Sequence, residues 1–260
     1  MTAFGFWDYA LLLLVSTQAT LLASIPNPRW KAFITALPIP FTLAALALGR
    51  PVGPSHVVAL NVLLAYAFAV RFLHEKAGWP IIPSIAAAAV GYTLTGAALR
   101  YVLPETHAAF WISIVLTGAV AAAVRFRFNP PAEPGHRKVL PPWLKFPMVA
   151  GVVLALIMLK SLLGGFMTLF PMIGVFAAYE GRFHLAAFCR AFSAFALAMV
   201  PLLAVIRLVQ PRLGWGAALA SGWLVLLPIL WLEVRNFGKL ENAEPQGRAR
   251  MAESSETRPA

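Results

Sequence analysis

Charged residues are scarce in this chain: Asp, Glu, Lys and Arg together make up 12% of its 260 residues, whereas hydrophobic residues make up 60%. A soluble domain carries about 25% charged and about 45–50% apolar residues. The low fraction of charged residues therefore excludes a large soluble globular protein. Cysteine is scarce as well, because Cys189 is the only one in the sequence. An intramolecular disulfide and a multi-cysteine metal site are excluded with it.

Catalytic motifs are absent too. The sequence has no GxxxxGK[ST] phosphate loop, no HExxH and no GxSxG. Its five histidines are dispersed, and its acidic residues form no pair at catalytic spacing. We therefore expect neither an enzyme nor a bound cofactor. The net charge of +11 comes from basic residues scattered between apolar segments, as orientation in a membrane requires, so nucleic acid is not an expected partner.

Long apolar runs are what the sequence has in abundance. About nine can be drawn, most of them near the roughly 17–25 residues that cross a bilayer as a helix. They lie at 6–24, 31–48, 56–74, 80–103, 108–124, 146–163, 165–180, 186–209 and 214–233. Because they do not alternate as the strands of a membrane barrel do, they predict helices. The expected fold is an all-α, polytopic membrane protein of about nine transmembrane helices in a lipid bilayer.

The distribution of Lys and Arg predicts an orientation. An odd number of spans places the two termini on opposite sides, and 16 of the 21 basic residues then face the side of the C-terminus. Basic residues are enriched on the cytoplasmic side of membrane proteins. We therefore predict an N-terminus outside and a C-terminus in the cytoplasm. The first apolar run lacks a cationic start and contains Asp8, so we interpret it as a retained span and not as a signal peptide.

Two of the apolar runs share a pattern that contains proline. FITALPIPFTLAA begins at Phe33 and FMTLFPMIGVFAA begins at Phe166, and their Phe, Thr, Pro and paired Ala residues recur 133 positions apart. Further on, Gly78-Trp79 and Gly214-Trp215 recur 136 positions apart. The same order of matches in both halves predicts a duplicated unit of four helices.

The duplication predicts an inverted repeat. A four-helix unit returns the chain to its starting side, and one additional span between the units moves the chain across, so the second unit is inserted upside down. The predicted arrangement is 4+1+4. It divides the chain into a first repeat at 1–107, a connecting helix and cytoplasmic loop at 108–145, a second repeat at 146–234 and a disordered cytoplasmic tail at 235–260.

Inverted repeats with interrupted helices are typical of secondary transporters, whose solute site lies near the bilayer midplane. Proline interrupts a helix because it lacks an N–H group and crowds the carbonyl four residues earlier, and the released carbonyl can bind a cation or a polar solute. The candidate substrate-binding residues are the prolines and polar groups of these regions. They are Thr35, Pro38, Pro40, Asn61, Thr168, Pro171, Glu180 and Arg190.

The second half resembles the GlpM family of small four-helix bacterial inner-membrane proteins. Leu169-Phe170-Pro171, the run to Tyr179 and Glu180, and Pro201 in the next helix carry the resemblance. It implies two such units fused in one chain, packed antiparallel in a bacterial inner membrane. The first half departs from the pattern because it has Leu37-Pro38-Ile39-Pro40 and no acidic residue that matches Glu180.

Three functions remain open on the sequence alone. The first is a secondary transporter or exporter of a small solute or ion, with its site between the two proline segments. The second is a non-transporting membrane scaffold or accessory subunit that docks partners through Arg125–Lys145 or the tail. The third is a lipid-directed enzyme that uses Glu180, Arg182 and His184. A homodimer is compatible with all three.

Overall fold

The computed structural model describes residues 4–25, 34–127 and 141–256, the last range as backbone alone from residue 233. Within these ranges every regular element is helical and no strand is present. The all-α prediction is confirmed for the described residues. The middle of the predicted loop, at 128–140, and the start of the second apolar run, at 31–33, lie outside them.

The helices follow the apolar runs closely. They are α1 (Phe6–Ser24), α2 (Ile39–Leu48), α3 (Pro54–Arg71), α4 (Ile81–Val102), α5 (His107–Arg127), α6 (Pro142–Leu163), α7 (Gly174–Glu180) and a final helical stretch, Leu185–Glu256, which Gly214 interrupts with φ 78° and ψ 177°. We name its two parts α8 (185–213) and α9 (215–256).

Five helical stretches in the described part of the chain are long and apolar enough to cross a membrane. They are Pro54–Lys76, Ile81–Val102, His107–Arg127, Trp143–Leu169 and Leu185–Leu232. The last has 48 residues, about twice the length that one crossing needs. Phe6–Leu22 and Ile34–Leu48 are shorter apolar helices. Several apolar helices of this length are what a multi-pass membrane protein requires.

The packing joins the first part of the chain to the last. Helix α1 packs along α6, α2 packs against the stretch Gly164–Leu169, and α3 packs against α4, α5 and the final helical stretch. These contacts bury one continuous apolar core. Helix α5 lies against both α3 and the final stretch, so it connects the two halves in space as well as in sequence.

Polar contacts fix which helix ends lie together. Lys160 near the end of α6 forms an ion pair of 2.6 Å with Asp8 at the start of α1. The segment between α2 and α3 is held against the end of α8, because Val52 exchanges hydrogen bonds with the Gln210 side chain, N to Oε1 at 3.0 Å and Nε2 to O at 3.1 Å. Arg207 donates a further bond of 2.9 Å to the Val52 carbonyl.

Two predicted irregular segments are helical where the structure describes them. Arg125 to Arg127 continue α5, and α6 begins at Pro142, so both ends of the predicted Arg125–Lys145 loop belong to helices. The backbone at 235–256, which its polarity predicts to be disordered, continues the final helix. Ala, Glu, Arg and Met residues in this segment have high helix propensity, which does not depend on burial.

Candidate functional site at the two interrupted helices

The second proline segment contains a non-helical stretch inside the protein. Gly164 ends α6 with φ 55°, a left-handed conformation that glycine adopts without strain. The chain then forms a 3₁₀ helix, Gly164–Leu169, in which all six residues are buried. After a break at Phe170 and Pro171, the chain resumes as α7. Pro171 therefore stands at a true interruption and not at a mild kink.

Close packing explains why glycine occupies the start of this stretch. A Cβ atom added to Gly165 would collide with Ser55 Oγ and would lie 2.8 Å from His56 Nδ1. The backbone of the 3₁₀ helix thus lies directly on the first turn of α3. His56 Nδ1 accepts a hydrogen bond of 3.1 Å from Gly53 N, which leaves the proton of a neutral imidazole on Nε2. That buried Nε2 has no partner among the described residues.

Side-chain hydroxyls donate to two carbonyls of the buried 3₁₀ stretch, those of Gly165 and Phe166. Tyr92 on α4 donates its hydroxyl to the Phe166 carbonyl at 2.8 Å. Thr168 donates its hydroxyl to the Gly165 carbonyl at 2.7 Å. An unpaired carbonyl at membrane depth costs several kcal/mol, roughly 2–7 in transfer measurements. These two hydroxyls make the buried 3₁₀ stretch stable.

The first proline segment is interrupted at the corresponding place. Residues 34–36 form one helical turn, the chain breaks at Leu37 and Pro38, and α2 then begins. Pro38 has no N–H to donate to the carbonyl of Ile34, and Gln18 Nε2 on α1 donates to that carbonyl instead, at 3.0 Å. The Pro38 carbonyl accepts bonds of 2.9 Å from both the amide and the hydroxyl of Thr42.

A second-half residue completes the cap of α2. Trp223 on α9 donates its indole N–H to Thr42 Oγ1 at 2.9 Å, while the Thr42 hydroxyl donates to the Pro38 carbonyl. Pro40 lies in the first turn of α2, where its missing N–H would have no helical partner in any case. The start of α2 is therefore specified by proline and held by a hydrogen-bond chain from α9.

The structure brings some of the eight predicted site residues together and separates others. The prolines and Thr168 belong to segments that contact each other through α2 and the 3₁₀ helix. Thr35 is exposed, whereas Pro38, Thr168 and Pro171 are buried and Pro40 is half-buried.

Asn61, Glu180 and Arg190 lie apart from this contact. Asn61 on α3 donates to Thr117 on α5 at 2.7 Å, and its Oδ1 has no partner among the described residues. Glu180 ends α7 and forms a buried ion pair of 2.7 Å with Lys145 on α6. Arg190 is half-buried in the first turns of α8, which begins just after α7.

Sequence reasoning missed several residues of this site. Lys145 was placed in a loop, although it is 3% exposed and pairs with Glu180. Tyr92 and Gln18 lie within predicted spans and are not among the predicted site residues, yet each donates to a carbonyl of one proline segment. A buried hydroxyl or amide in an apolar helix was the available signal, since such groups need a partner.

Neither of the two clefts described next, both on the described part of the surface, is lined by residues 164–180. One, of about 510 Å³, lies beside the first interruption between α1 and the 34–39 segment, and it is apolar except for Thr17 and Gln18. The other, of about 530 Å³, lies at the end of the bundle where Val52 meets Gln210. Among the described residues, no group of His, Cys, Asp or Glu has the arrangement of a metal site.

Comparison of the chain with protein-family models, with curated proteins and with solved structures found no match. The likeness to GlpM proteins therefore rests on the residues quoted above, and the site must be interpreted from its own geometry.

Proposed function

We propose that this chain is a secondary transporter or exporter of a small solute, built from two fused four-helix units of opposite orientation with nine membrane crossings. The observation that carries the proposal is the pairing of equivalent elements: α1 packs on α6, α2 on the 3₁₀ helix and α3 on the final stretch. Helices beside a two-fold axis contact their own symmetry mates, so this pairing is what an axis in the membrane plane would produce.

Backbone geometry supports the duplication independently. Gly78 and Gly214, which correspond in the repeat, have φ angles of 72° and 78°. This left-handed conformation is uncommon outside glycine. At the two corresponding positions, a glycine with a positive φ angle therefore connects the third helix of the unit to the fourth.

Hydrogen bonds between the units support the same axis. Tyr92 on the fourth helix of the first unit donates to Phe166 in the second proline segment. Trp223 on the fourth helix of the second unit donates to Thr42 in the first proline segment. In each direction, a fourth helix holds the interrupted helix of the other unit.

The positions of two loops support the opposite insertion. The segment between α2 and α3 is held at the C-terminal end of α8 through Val52 and Gln210, whereas 181–184 precedes the N-terminal end of α8. A helix of this length spans about 40 Å, more than the hydrocarbon thickness. The two corresponding loops thus lie on opposite sides of the bundle.

The positions of the two helix interruptions support the proposed transport. Non-helical backbone at membrane depth is tolerated where it is buried in protein or lines a water-filled cavity. Here the second interruption is buried in protein, the first lies beside a surface cleft, and the segments that contain them are in contact through α2 and the 3₁₀ helix. Exchange of the side-chain hydrogen bonds to these segments for bonds to a solute would open a path between the two units.

Cysteine labelling tests the orientation. Cys189 is buried, so a Cys189→Ser background removes the native thiol with little change in the surface. Single cysteines at Pro51 and Phe183, both exposed, would then be treated with a membrane-impermeant maleimide on intact cells and on inverted vesicles. We expect each cysteine to react in one preparation only, and in opposite ones. Reaction of both in the same preparation would overturn the inverted repeat.

Transport is tested with proteoliposomes that contain the purified chain and are incubated with a small-molecule extract of bacterial cytosol. Mass spectrometry would identify accumulated solutes for the wild type and for Pro38→Ala, Pro171→Ala and Pro147→Ala. Pro147 is the matched control because it lies inside α6 without interrupting it. We expect the first two substitutions to reduce accumulation more than they reduce thermal stability. Full activity in both would contradict the proposal.

The second candidate is a non-transporting membrane scaffold. It is favoured by the observation that the Ile34, Pro38, Gly165 and Phe166 carbonyls are already occupied by protein donors. A scaffold would accumulate no solute in the proteoliposome assay and would yield a specific adduct when crosslinked in native membranes. Solute accumulation that depends on Pro38 and Pro171 would exclude it as the main function.

A further inference from the structure

The cleft of about 530 Å³ joins three parts of the fold at one end of the bundle. It is lined by the 49–51 turn after α2, by His107 at the start of α5, and by residues on either side of Gly214, among them Arg207 and Trp215. All of these lie on the side of the N-terminus in the nine-span topology. The cleft thus includes residues from both units and from the connecting helix.

The side chains that face this cleft are hydrogen-bond donors. Arg50 and Arg207 contribute guanidinium groups, and neither forms an ion pair within the described residues. His107 Nε2 accepts the indole N–H of Trp111 at 2.9 Å, so the neutral ring carries its proton on Nδ1. Trp215 also lines the cleft, but its indole N–H is buried and does not open onto it.

Two side chains with acceptor oxygens lie on or near the cleft, Gln210 and Glu105. The amide of Gln210 is used at both ends by the Val52 backbone. Arg207 uses one N–H on the Val52 carbonyl, and its guanidinium lies 5.4 Å from the centre of the Phe110 ring, which leaves further N–H groups available. The carboxylate of Glu105, on the turn before α5, lies against Gly53, and Glu105 does not line the cleft.

A concave site with two guanidinium groups that form no ion pair among the described residues concentrates anions, and arginine suits phosphate and carboxylate oxygens because its N–H groups form a planar fork. We propose that this cleft binds an oxyanion, a phosphate or carboxylate group, through Arg50 and Arg207, with the imidazole of His107 also lining the site. The oxyanion belongs either to a free solute or to a lipid headgroup. That the free oxyanion is also the transported solute rests on the function proposed above.

Inorganic phosphate is the probe for the site. The purified full-length chain in a neutral detergent would be titrated with sodium phosphate at constant ionic strength, and binding would be followed by calorimetry. Arg50→Gln should weaken phosphate binding about tenfold or more, since it removes charge-assisted hydrogen bonds.

Arg212→Gln is the matched control because Arg212 is an exposed arginine on the same helix end that does not line the cleft. It should change phosphate affinity by less than about twofold, as expected for a screened surface charge. An unchanged melting temperature of the ligand-free variants would show that the fold is intact. An equal effect of Arg50→Gln and Arg212→Gln would overturn the site, as would phosphate binding that Arg50→Gln leaves unchanged.

Bilayers of defined composition distinguish the two sources of the oxyanion. The chain would be placed in nanodiscs of phosphatidylcholine, with or without phosphatidylglycerol, and titrated again with phosphate. Loss of phosphate binding in the anionic discs, restored when phosphatidylglycerol is withdrawn, would assign the cleft to a lipid headgroup. Equal binding in both discs would assign it to a free solute. No phosphate binding in either disc, with no Arg50-dependent retention of phosphatidylglycerol, would overturn the proposal.

The transport assay separates this inference from the proposed function. Arg50-dependent phosphate binding without solute accumulation would leave the oxyanion site in place and remove the transporter. Accumulation of solutes that is equal in wild type and Arg50→Gln would support the transporter and overturn the oxyanion as its substrate.

Discussion

The two proline segments have the same pattern in sequence but are stabilised from different places. In the first, the carbonyl that Pro38 cannot engage, that of Ile34, is satisfied by Gln18 from the preceding helix of the same unit. In the second, the Phe166 carbonyl is satisfied by Tyr92 from the other unit. The Ile34 carbonyl is thus served from within its own unit, whereas the Phe166 carbonyl depends on the other unit, and Trp223 reaches the first segment only through Thr42.

The ends of the two segments differ as well. The first ends at Gly49, an exposed residue in the left-handed conformation. The second ends at Glu180, which is buried and paired with Lys145. At the position that corresponds to Glu180, the first segment has Ala47. Duplication therefore preserved the interruption, which proline dictates locally, but not the groups that hold the segment in place.

The largest effect is expected where the difference is greatest, at the ion pair of the second segment. Lys145→Met should lower the free energy of unfolding by about 3 kcal/mol, because the buried Glu180 carboxylate loses its cationic partner. Thermal and chemical unfolding in detergent would measure it. The double variant Lys145→Met/Glu180→Gln should recover much of the loss, since it removes both charges. A single variant as stable as the wild type would contradict the buried pair.

The close approach of α4 to the second segment comes next. A Cβ added to Gly96 would lie 3.0 Å from Phe166 Cβ, whereas one added to Gly91 would meet no atom within 4 Å. Gly96→Ala should therefore cost about 1–3 kcal/mol through overpacking. Gly91→Ala on the same helix should be neutral or stabilising, because alanine favours helix. Equal stability of the two variants would show that α4 does not approach the 3₁₀ helix this closely.

The hydroxyl of Tyr92 tests the long-range cap directly. Tyr92→Phe leaves the buried Phe166 carbonyl without its donor and should cost about 1–2 kcal/mol. Tyr101→Phe is the control, since Tyr101 is 76% exposed at the end of the same helix. The measurement is the unfolding midpoint of each purified variant. A Tyr92→Phe variant indistinguishable from Tyr101→Phe would remove the hydrogen bond as a source of stability.

The smallest effect is expected at the local cap of the first segment. Gln18→Met removes the donor to the Ile34 carbonyl but also removes Gln18 Oε1, a buried acceptor without a partner among the described residues. The two changes oppose each other, so the net loss should be below about 1 kcal/mol. Thr17→Val, at an exposed neighbouring position, should have no measurable effect. A loss for Gln18→Met larger than that for Tyr92→Phe would reverse the comparison between the segments.

Much of the fold was predictable because its signals are local. Apolar runs of span length predicted the helices, and the structure places α3, α4 and α5 within a few residues of the expected bounds. Pro38 and Pro171 predicted weak points, and both are interruptions, because proline lacks the N–H whatever surrounds it. The ends of the 125–145 segment were misassigned. Prolines at 141 and 142 indicate a loop, but they also suit the first turn of a helix.

The candidate site was only partly predictable, since its contacts connect residues far apart in sequence. Tyr92 and Phe166 are separated by 74 positions, and Lys160 and Asp8 by 152. Thr168 and the prolines were found because they belong to the repeated pattern itself. Lys145 was not, because nothing in its local sequence indicates that it faces Glu180.

By itself, the sequence determined that this chain is helical and apolar enough for a membrane, and where its helices are interrupted. The length of an apolar run and the position of a proline act on the local backbone, so their effects can be predicted from the sequence. Only the tertiary structure decided which side chains donate to the carbonyls of the proline segments, which charges are buried together, and which arginines share a cleft. Those outcomes depend on which faces of the helices pack against each other, because rotation of a helix about its axis brings different side chains into the contact.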